Sequence, residues 1–302
     1  MQLCFDVQKK EDGFFLRDFL RLKKVSSSLC SAVKRDKGFF CNGRAIRTNE
    51  RVHAGDVIVF ELPSELPTKV GPQELPLFIV YEDEHAIVLE KPVGQAVHPT
   101  LGYANGTLAN AFCGEMRRRG TEAVFRPVNR IDRGTSGLVL CAMNAYAAPI
   151  LAETCEKVYY AVVEGHLSSP EGVIDAPIDR CPDSLIKRRV SKTGKPSRTE
   201  YRVLCETEEW SLVRCVPVTG RTHQIRVHFS WMRHPLAGDD FYGGRPCLSR
   251  PALHCGKITF TVFKTIQAYL PLPYDMRTLL PKSNTSLAED WLFSERHVVK
   301  EM

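Results

Sequence analysis

A single aspartate on a short loop is the first residue of this chain that could do chemistry. Asp132 lies between Arg130 and Arg133 in the stretch 126–141, which reads RPVNRIDRGTSGLVLC. The small polar residues after it predict a tight turn, and the apolar run beyond them predicts a buried strand. A carboxylate on such a loop could take part in catalysis. An aspartate flanked by arginines is more often one end of a surface ion pair, so other stretches must decide between the two interpretations.

A second dense stretch, RTHQIRVHF at residues 221–229, could place an arginine in the core. It follows the end of a predicted strand, so we expect a turn that leads from strand to helix. A half-buried Arg226 needs an anionic partner, and any of the 35 acidic residues could provide a structural one. His223 and His228 are five residues apart and share no helical face. They are predicted to pack or to form hydrogen bonds rather than to bind a metal.

The third stretch, KVYYAVVEG at residues 157–165, predicts a strand that carries two adjacent tyrosines. Successive side chains of a strand point to opposite faces. One of Tyr159 and Tyr160 should therefore lie in the core, while the other faces a surface or a cleft. Packing is the ordinary role of a tyrosine in a strand, so the pattern alone does not assign either residue to a site.

The totals describe a globular protein with a modest positive charge. The chain has 302 residues, a formal net charge of +6 and 43% hydrophobic residues, which allows more than one domain. A basic balance is compatible with a polyanionic partner. Eleven cysteines without a CxxC pair or zinc spacing indicate a reducing compartment. The N-terminus lacks a signal-peptide core and no apolar run reaches membrane-spanning length, so we expect a cytoplasmic protein that is not bound to membrane.

Residues 1–63 predict a small domain with a basic surface. Two short amphipathic helices precede Asn42-Gly43, a strong hairpin signal, and a strand at 57–60. Cations greatly outnumber acids from residue 17 to residue 47, which favours phosphate binding over an ordinary solvated face. The predicted phosphate-binding side chains are Arg17, Arg21, Lys34, Arg35 and Arg44.

The remainder of the chain divides into a linker, a main domain and a C-terminal extension. Residues 64–76 are rich in proline and predict a linker. Residues 77–275 contain many short strands and few helices, which predicts an α+β fold around a large, mostly antiparallel mixed sheet. The role of residues 276–302 is not predicted, although Leu287, Trp291 and Leu292 could form one or two amphipathic turns.

Taken together, the three stretches resemble the signatures of the RluA family of pseudouridine synthases. The family pattern H-R-L/I-D-x-x-T-S-G is similar to NRIDRGTSG at 129–137, and K-x-Y-x-A-x-V-x-G matches residues 157–165. G-R-T-H-Q-I-R-V-H is present whole at 220–228, and G-D-x-x-Y-G matches residues 238–243. The chain departs from the pattern at Asn129, where relatives usually carry histidine. Residues 10–62 resemble the S-four-type αL motif of RNA-binding domains.

This resemblance implies an isomerase that acts on uridines in RNA. It implies that Asp132 is the catalytic carboxylate at the sugar, that Arg226 is its ion-pair partner, and that Tyr159 stacks on a flipped-out base and takes or relays a proton. The reaction needs no metal, no redox cofactor and no nucleotide. Beside the N-terminal cations, the residues expected to contact RNA are Arg130, Arg133, Arg221, His223 and Gln224.

The RNA target and two rival functions remain open at this stage. The αL-type domain favours large-subunit ribosomal RNA, with transfer RNA as the alternative, and we expect a monomer. One rival is a relative that binds RNA without activity. The other is a retaining hydrolase with Asp132 as nucleophile, which would need a second carboxylate as acid and base. Asp239 is the candidate for that second carboxylate.

Overall fold

Residues 1–61 fold around a four-stranded antiparallel sheet. The structure, a computed structural model, describes residues 1–65, 69–121, 123–281 and 290–302. The strand order of the sheet is β1-β4-β2-β3. A short 3-10 helix at Lys9–Glu11 follows β1 in the chain. Its elements are β1 (Gln2–Asp6), α1 (Leu16–Leu22), α2 (Ser27–Arg35), β2 (Phe39–Cys41), β3 (Arg44–Ile46) and β4 (Val57–Glu61).

Local signals explain several element ends in this part of the chain. Ser26 begins α2 by accepting a hydrogen bond from the Leu29 amide at 3.2 Å, as expected of an N-cap. Asn42 and Gly43 take φ angles of 50° and 81°, which form the tight turn between β2 and β3. The turn at Asn42-Gly43 confirms the prediction from the sequence, whereas β1 was not predicted.

The N-terminal sheet shares its core with the first turn of a helix in the main domain. Tyr146 and Ile150 are buried in the same hydrophobic cluster as the N-terminal residues. The Tyr146 hydroxyl donates to the carbonyl of Lys23 at 3.1 Å. Lys24 also pairs with Glu153 at 2.9 Å. The two parts of the chain are therefore packed together through apolar and polar contacts.

The main domain is built on an eleven-stranded mixed sheet with few helices. Its central order is β10-β13-β14-β9-β15-β8-β6-β5, and β7, β16 and β17 pair at its margins. Its eleven strands are β5 (Phe78–Glu82), β6 (Ala86–Lys91), β7 (Arg126–Pro127), β8 (Ser136–Ala142), β9 (Glu156–Glu164), β10 (Glu171–Asp175), β13 (Arg198–Glu206), β14 (Trp210–Pro217), β15 (Leu253–Thr261), β16 (Thr265–Tyr269) and β17 (Val298–Glu301). A separate two-stranded hairpin is formed by β11 (Ile178–Arg180) and β12 (Arg188–Val190). The helices are α3 (Leu108–Arg118), α4 (Ala147–Thr154), α5 (Gln224–Trp231) and α6 (Tyr274–Arg277), with 3-10 turns at Asp240–Tyr242 and Asp290–Phe293. This architecture confirms the predicted α+β class. No helix among the described residues is long and apolar enough to cross a membrane.

One parallel contact in the sheet brings distant stretches of sequence together. Strands β8 and β15 pair in parallel at Gly137 and Cys255, whereas the other pairings of the sheet are antiparallel. A side chain at Gly137 would place its Cβ 2.4 Å from the Cys255 carbonyl oxygen, and its φ of 122° also favours glycine. Because β9 pairs with the other side of β15, the loop that enters β8 lies near the middle of β9.

The C-terminal segment adds a strand to the main sheet and packs into a second hydrophobic core, the cluster that contains Tyr160 and Leu292. Strand β17 pairs with β16, and Leu292 is buried. Trp291 packs against Tyr160 with ring centroids 5.5 Å apart. Leu287 lies outside the described residues. The described part of residues 276–302 therefore has a structural role that the sequence did not indicate.

Helix α4 ends at Thr154 because β9 begins at Glu156, and β15 pairs with β8 and β9 from its first residues onward. Short strands β7, β10, β11, β12 and β17 were not predicted. The proposed division into domains and a linker stays a prediction, although Gln73 already contacts α3 through the carbonyl of Asn110.

Candidate active site

A cleft of about 800 Å³ lies where the loop before β8 meets β9, the end of β14 and the start of α5. Asp132, Tyr159 and His223 all line it. These are residues from three separate stretches of the sequence, brought together by the order of the central strands. The cleft therefore brings together Asp132 and Tyr159, two of the three predicted catalytic residues, whereas the third, Arg226, is not part of its lining.

Asp132 presents a partly exposed carboxylate at this cleft. Its side chain is 30% exposed, and its carbonyl accepts the amide proton of Thr135 at 3.0 Å, which closes the predicted turn. One carboxylate oxygen lies 3.6 Å from Arg226 Nη1 and 3.8 Å from His223 Nε2. The aspartate is thus flanked by two nitrogen-bearing side chains of α5 and its entry turn, not by the neighbouring arginines of its own loop.

Arg226 is held mainly by a second carboxylate. Its Nε and Nη2 donate to the two oxygens of Asp239 at 2.7 and 2.8 Å, and Asp239 is fully buried. Burial would lower the pKa of Arg226, but the hydrogen bonds and charge of Asp239, with the charge of Asp132, raise it on balance. The guanidinium carbon also lies 4.9 Å from the Tyr242 ring centre. Arg226 is consequently a fixed cation whose third nitrogen faces Asp132.

Tyr159 and Tyr160 occupy opposite faces of β9, as the alternation predicted. Tyr160 is fully buried in the second core, while Tyr159 lines the cleft. The residues opposite Tyr159 on the neighbouring strands are Cys215 and Cys255, both buried. Burial, together with the neighbouring Cys255 and Asp132, raises the pKa of Tyr159 well above its ordinary value. Its hydroxyl is therefore protonated at neutral pH and can donate a hydrogen bond in the cleft.

His223 lines the cleft and contacts Tyr242, which lies behind it. It precedes α5 in a left-handed conformation, with φ of 56°. Its Nδ1 lies 2.8 Å from the Tyr242 hydroxyl, which already accepts the Arg188 amide proton at 3.0 Å. We therefore assign the hydroxyl proton to Nδ1, so that the Nε2 hydrogen faces Asp132. Burial lowers the pKa of His223 while Asp132 opposes that shift, which favours the neutral ring.

Lys91 fixes the back of the loop that carries Asp132, a role that the sequence did not reveal. This fully buried ammonium donates to the carbonyls of Pro92 and Gln95 at 2.7 and 2.8 Å, and reaches that of Arg133 at 3.4 Å. Burial lowers the pKa of Lys91 to about 7. The only sequence signal was the Lys91-Pro92 pair at the end of a strand. The side chain ties the segment after β6 to the loop of Asp132.

Asn129, the departure from the family pattern, contacts the backbone of β8. Its amide donates to the Leu138 carbonyl at 3.2 Å, and its carbonyl oxygen accepts from the Leu140 amide at 2.8 Å. The side chain is buried and replaces a strand partner at these two positions. Asn129 therefore supports the strand that follows the catalytic loop.

The residues expected to contact RNA have different surroundings. Arg130 and Arg221 line the cleft and are exposed. Arg133 is also exposed, but its Nε donates to the Gly94 carbonyl at 2.8 Å and its Nη1 to Tyr103 at 3.1 Å. Gln224 is buried and hydrogen-bonded to Thr199, Arg198 and Thr219, so the structure gives it an intramolecular role at the start of α5.

The cations predicted on the N-terminal domain are all exposed: Arg17, Arg21, Lys34, Arg35 and Arg44.

Two further histidines are structural, as the sequence indicated for His228. The ring nitrogens of His228 contact Thr199 Oγ1 at 2.9 Å and the Ala176 carbonyl at 3.0 Å. His254 lies between Ser136 Oγ at 2.9 Å and the Leu270 carbonyl at 3.2 Å. Within the part of the chain that the structure describes, no group of three His, Cys, Asp or Glu side chains could hold a metal ion.

Comparisons with known proteins identify relatives along nearly the whole chain. The family profile described as RNA pseudouridylate synthase matches residues 85–231. An uncharacterized RNA pseudouridine synthase of Bacillus subtilis, YjbO, is 36% identical over 271 residues, which cover 86% of this chain and 96% of the relative. The ribosomal large subunit pseudouridine synthase D of Xylella fastidiosa is 36% identical, with 84% of this chain and 83% of that protein covered.

A solved structure also has a similar fold. It is titled human RNA pseudouridylate synthase domain containing 1, and it is 26% identical to this chain with a TM-score of 0.57. The match covers 72% of this chain and 89% of the human one. The similarity in sequence and the similarity in fold thus point to the same group of proteins.

Proposed function

Because the chain belongs to the RNA pseudouridylate synthase family and is an isomerase acting on RNA, we propose that it converts particular uridines of large-subunit ribosomal RNA to pseudouridine, with Asp132 as its catalytic carboxylate. One observation carries the assignment. Asp132 is a partly exposed carboxylate in a cleft of about 800 Å³, beside Tyr159 and within 4 Å of the nitrogens of Arg226 and His223.

The reaction exchanges one bond to the ribose for another. The N1–C1′ bond breaks, the base rotates, and a C5–C1′ bond forms, after which C5 loses its hydrogen and N1 carries one. The first step resembles the opening of a glycosidic bond, for which a carboxylate at C1′ is the expected tool. Asp132 acts at the ribose either by attack at C1′ or by taking the C2′ hydrogen. The fixed Arg226 lies 3.6 Å from this carboxylate and can orient it toward the sugar.

Tyr159 and the cleft receive the base. A uridine cannot react while it is stacked, so the nucleotide must be flipped into the cleft. The ring of Tyr159 offers a platform for the uracil, and its protonated hydroxyl can donate to the base. Arg130, exposed at the same cleft, is suited to hold a phosphate or to occupy the space left by the flipped nucleotide.

A retaining hydrolase is a poorer explanation of the same cleft. Such an enzyme needs a second carboxylate as acid and base near the sugar. Asp239 was the candidate, but it is fully buried and both of its oxygens accept hydrogen bonds from Arg226. It is also absent from the residues that line the cleft. Asp239 positions Arg226 instead.

The choice of RNA rests on the N-terminal cations and on a relative. Residues 10–62 resemble the αL motif of RNA-binding domains, and the predicted phosphate-binding side chains of this region are exposed. The Xylella relative is named for the large ribosomal subunit. We therefore favour large-subunit ribosomal RNA over transfer RNA as the substrate.

Mapping pseudouridines in cellular RNA with and without this protein tests the function. Specific uridines of large-subunit ribosomal RNA should lose the modification when the protein is absent, and the wild-type chain should restore it. Asp132→Asn should fold and bind RNA without restoring it, whereas Asp6→Asn, an exposed carboxylate on β1, should restore it fully. Product formation by Asp132→Asn would refute the catalytic assignment, and loss confined to transfer RNA would refute the ribosomal target.

A further inference from the structure

A second cavity lies beside the catalytic cleft and is strongly basic. It has a volume of about 440 Å³ and shares Gly220, Arg221 and Thr222 with the cleft. Its remaining lining comes from the hairpin of β11 and β12 and from the segment that follows it. Four of the lining residues are cations and one is an acid: Arg180, Arg188, Lys195, Arg221 and Asp179. We call these four cations the arm cradle.

The sequence around the arm cradle has the same imbalance of charge. Residues 184–199 contain six lysines and arginines and no acidic residue. The carboxylate of Asp179 accepts the amide proton of Arg180 at 2.7 Å, so it is partly occupied by its own backbone. Cations gathered around a cavity repel each other unless an anion lies between them. The charge therefore indicates a polyanionic ligand.

The arm cradle is held rigidly against the helix of the active site. Ile178 of β11 is buried with Val227 of α5 and Tyr242, and Val190 of β12 packs on the same cluster. The Arg188 amide donates to the Tyr242 hydroxyl, the group that also contacts His223. Two hydrogen bonds, both made by the Tyr242 hydroxyl, therefore connect the hairpin to the His223 ring that faces Asp132.

Two arginines of the arm cradle are also oriented before any ligand binds. The Lys195 backbone is held by two hydrogen bonds with the Ile178 backbone, at 2.9 and 3.0 Å, while its side chain is exposed. Arg188 Nη1 contacts the carbonyls of Leu185, Ile186 and Lys187, which leaves its other nitrogens for a ligand. Arg221 Nε donates to the Pro196 carbonyl at 3.2 Å, and its terminal nitrogens make no hydrogen bond within the described residues. A guanidinium fork held at one side is well suited to bind a phosphate at the other.

We propose that the arm cradle is a phosphate-binding subsite for the RNA backbone next to the flipped uridine. Arg221 lies at the border of both cavities, so a strand whose base enters the cleft can continue into the arm cradle. Phosphate contacts of this kind position a nucleic acid and contribute salt-dependent affinity without reading its sequence. The inference rests on the proposed function, since RNA is the polyanion that this cleft would bind.

The salt dependence of RNA binding tests the arm cradle with a matched control. Arg180→Gln/Lys195→Gln removes two exposed cations of the arm cradle, and Arg189→Gln/Lys192→Gln removes two exposed cations of the same hairpin region that do not line the cavity. The probe is a fragment of large-subunit ribosomal RNA that contains the mapped uridine, with a uridine homopolymer of equal length beside it. The cradle variant should reduce the slope of log K against log salt by about 1.5, since each lost phosphate contact removes about 0.7 to 0.9. Its KM should rise while kcat at saturating RNA stays unchanged. Equal slopes for the two double variants, or an unchanged slope for the cradle variant, would overturn the proposal.

Neutral linkages in the RNA locate the contact. A single methylphosphonate beside the target uridine should weaken binding by the wild-type protein, and the same substitution should have little further effect on the cradle variant, because the two changes remove one interaction. Additive losses at all positions would overturn the proposed contact. Displacement of the RNA by polyglutamate of equal charge and concentration would instead indicate an acidic protein segment as the ligand. These are binding measurements, so a protein that binds in this way and forms no pseudouridine would refute the proposed function and leave the arm cradle supported.

Discussion

Arg226 donates two hydrogen bonds to Asp239, at 2.7 and 2.8 Å, and approaches Asp132 only with its remaining nitrogen, at 3.6 Å. The two carboxylates therefore have different tasks. The buried Asp239 fixes the guanidinium, whereas the partly exposed Asp132 keeps its oxygens for the cleft. An arginine that was bound fully by Asp132 would occupy the oxygens that this carboxylate presents to the cleft.

The first prediction concerns this buried anchor. Asp239→Asn should lower the rate of pseudouridine formation by at least tenfold, because Arg226 is no longer held in place and can turn toward Asp132. Breaking a buried pair typically costs about 3–5 kcal/mol, so urea unfolding should show a large loss of stability. Asp240→Asn removes the exposed neighbouring carboxylate and serves as control. An Asp239→Asn enzyme with wild-type rate would show that Arg226 needs no anchor.

The second prediction separates the ring of Tyr159 from its hydroxyl. Tyr159→Phe should retain RNA affinity, because the platform remains, and should lose about 100-fold in kcat if the hydroxyl assists proton transfer as expected. Since the pKa of Tyr159 is raised well above its ordinary value, the pH profile of the wild-type enzyme should contain no step from this residue between pH 8 and 10. Tyr160→Phe, on the opposite face of β9, should leave kcat unchanged. A Tyr159→Phe variant with unchanged kcat would limit the residue to stacking.

The third prediction concerns the departure from the family pattern. Asn129→Ala leaves the Leu138 carbonyl and the Leu140 amide without their side-chain partner, so the free energy of unfolding should fall by about 1–3 kcal/mol. The kcat of the folded fraction should stay within a few-fold of wild type. The exposed Asn105→Ala is the control for stability. A large loss of kcat at wild-type stability would indicate that Asn129 acts in catalysis.

The fourth prediction concerns the basic helices of the N-terminal domain. Replacing Arg17, Arg21, Lys34 and Arg35 together with glutamine should reduce the salt slope of RNA binding by about 3, with kcat unchanged at saturating RNA. Charge removal is a cleaner test than deletion, because Tyr146 and Ile150 share the N-terminal core and would become exposed. The control removes four exposed cations elsewhere: Lys9, Lys10, Lys264 and Lys300. If both quadruple variants have the same slope, the helices do not bind phosphate specifically.

The fifth prediction is a pH dependence of stability from His254. Burial lowers its pKa to about 4, from an ordinary value of 6.5. The unfolded chain therefore takes up a proton at this residue below pH 6.5 while the folded chain does not, and stability falls as the pH decreases from 6.5 to 4. The loss attributable to this group should be about 2 kcal/mol between pH 7 and pH 5. His254→Asn should show a smaller change between these pH values in urea unfolding. An identical change in both proteins would exclude His254 as the source.

Local chemistry made much of the fold predictable. The Ser26 cap and the Asn42-Gly43 turn depend on neighbouring residues, and the alternation of β9 explains why Tyr159 and Tyr160 face opposite sides. The α+β class follows from the number and length of the apolar runs. The short strands β7, β10, β11, β12 and β17 were not predicted, because two to five residues contain too little periodicity to identify a strand.

The candidate catalytic residues were also predictable, because long motifs occur in one order along the chain. Their roles relative to each other were not. Asp132 and His223 lie near each other because β8, β15, β9 and β14 are adjacent in the sheet. Arg226 is bound by Asp239 because the turn after α5 returns to the same buried place. Lys91 lies at the end of an ordinary strand, and nothing in the sequence around it indicated that its ammonium would reach a carbonyl of the Asp132 loop.

The sequence by itself therefore determined the family and the class of fold, and it singled out Asp132 as the candidate reactive carboxylate. Only the tertiary structure decided which carboxylate anchors Arg226, which nitrogen of His223 faces Asp132, and that a basic hairpin adjoins the cleft. The physical reason is that secondary structure depends on interactions over a few residues, whereas ion pairs and hydrogen bonds depend on distances of 3 to 4 Å between groups that the chain brings together from remote positions.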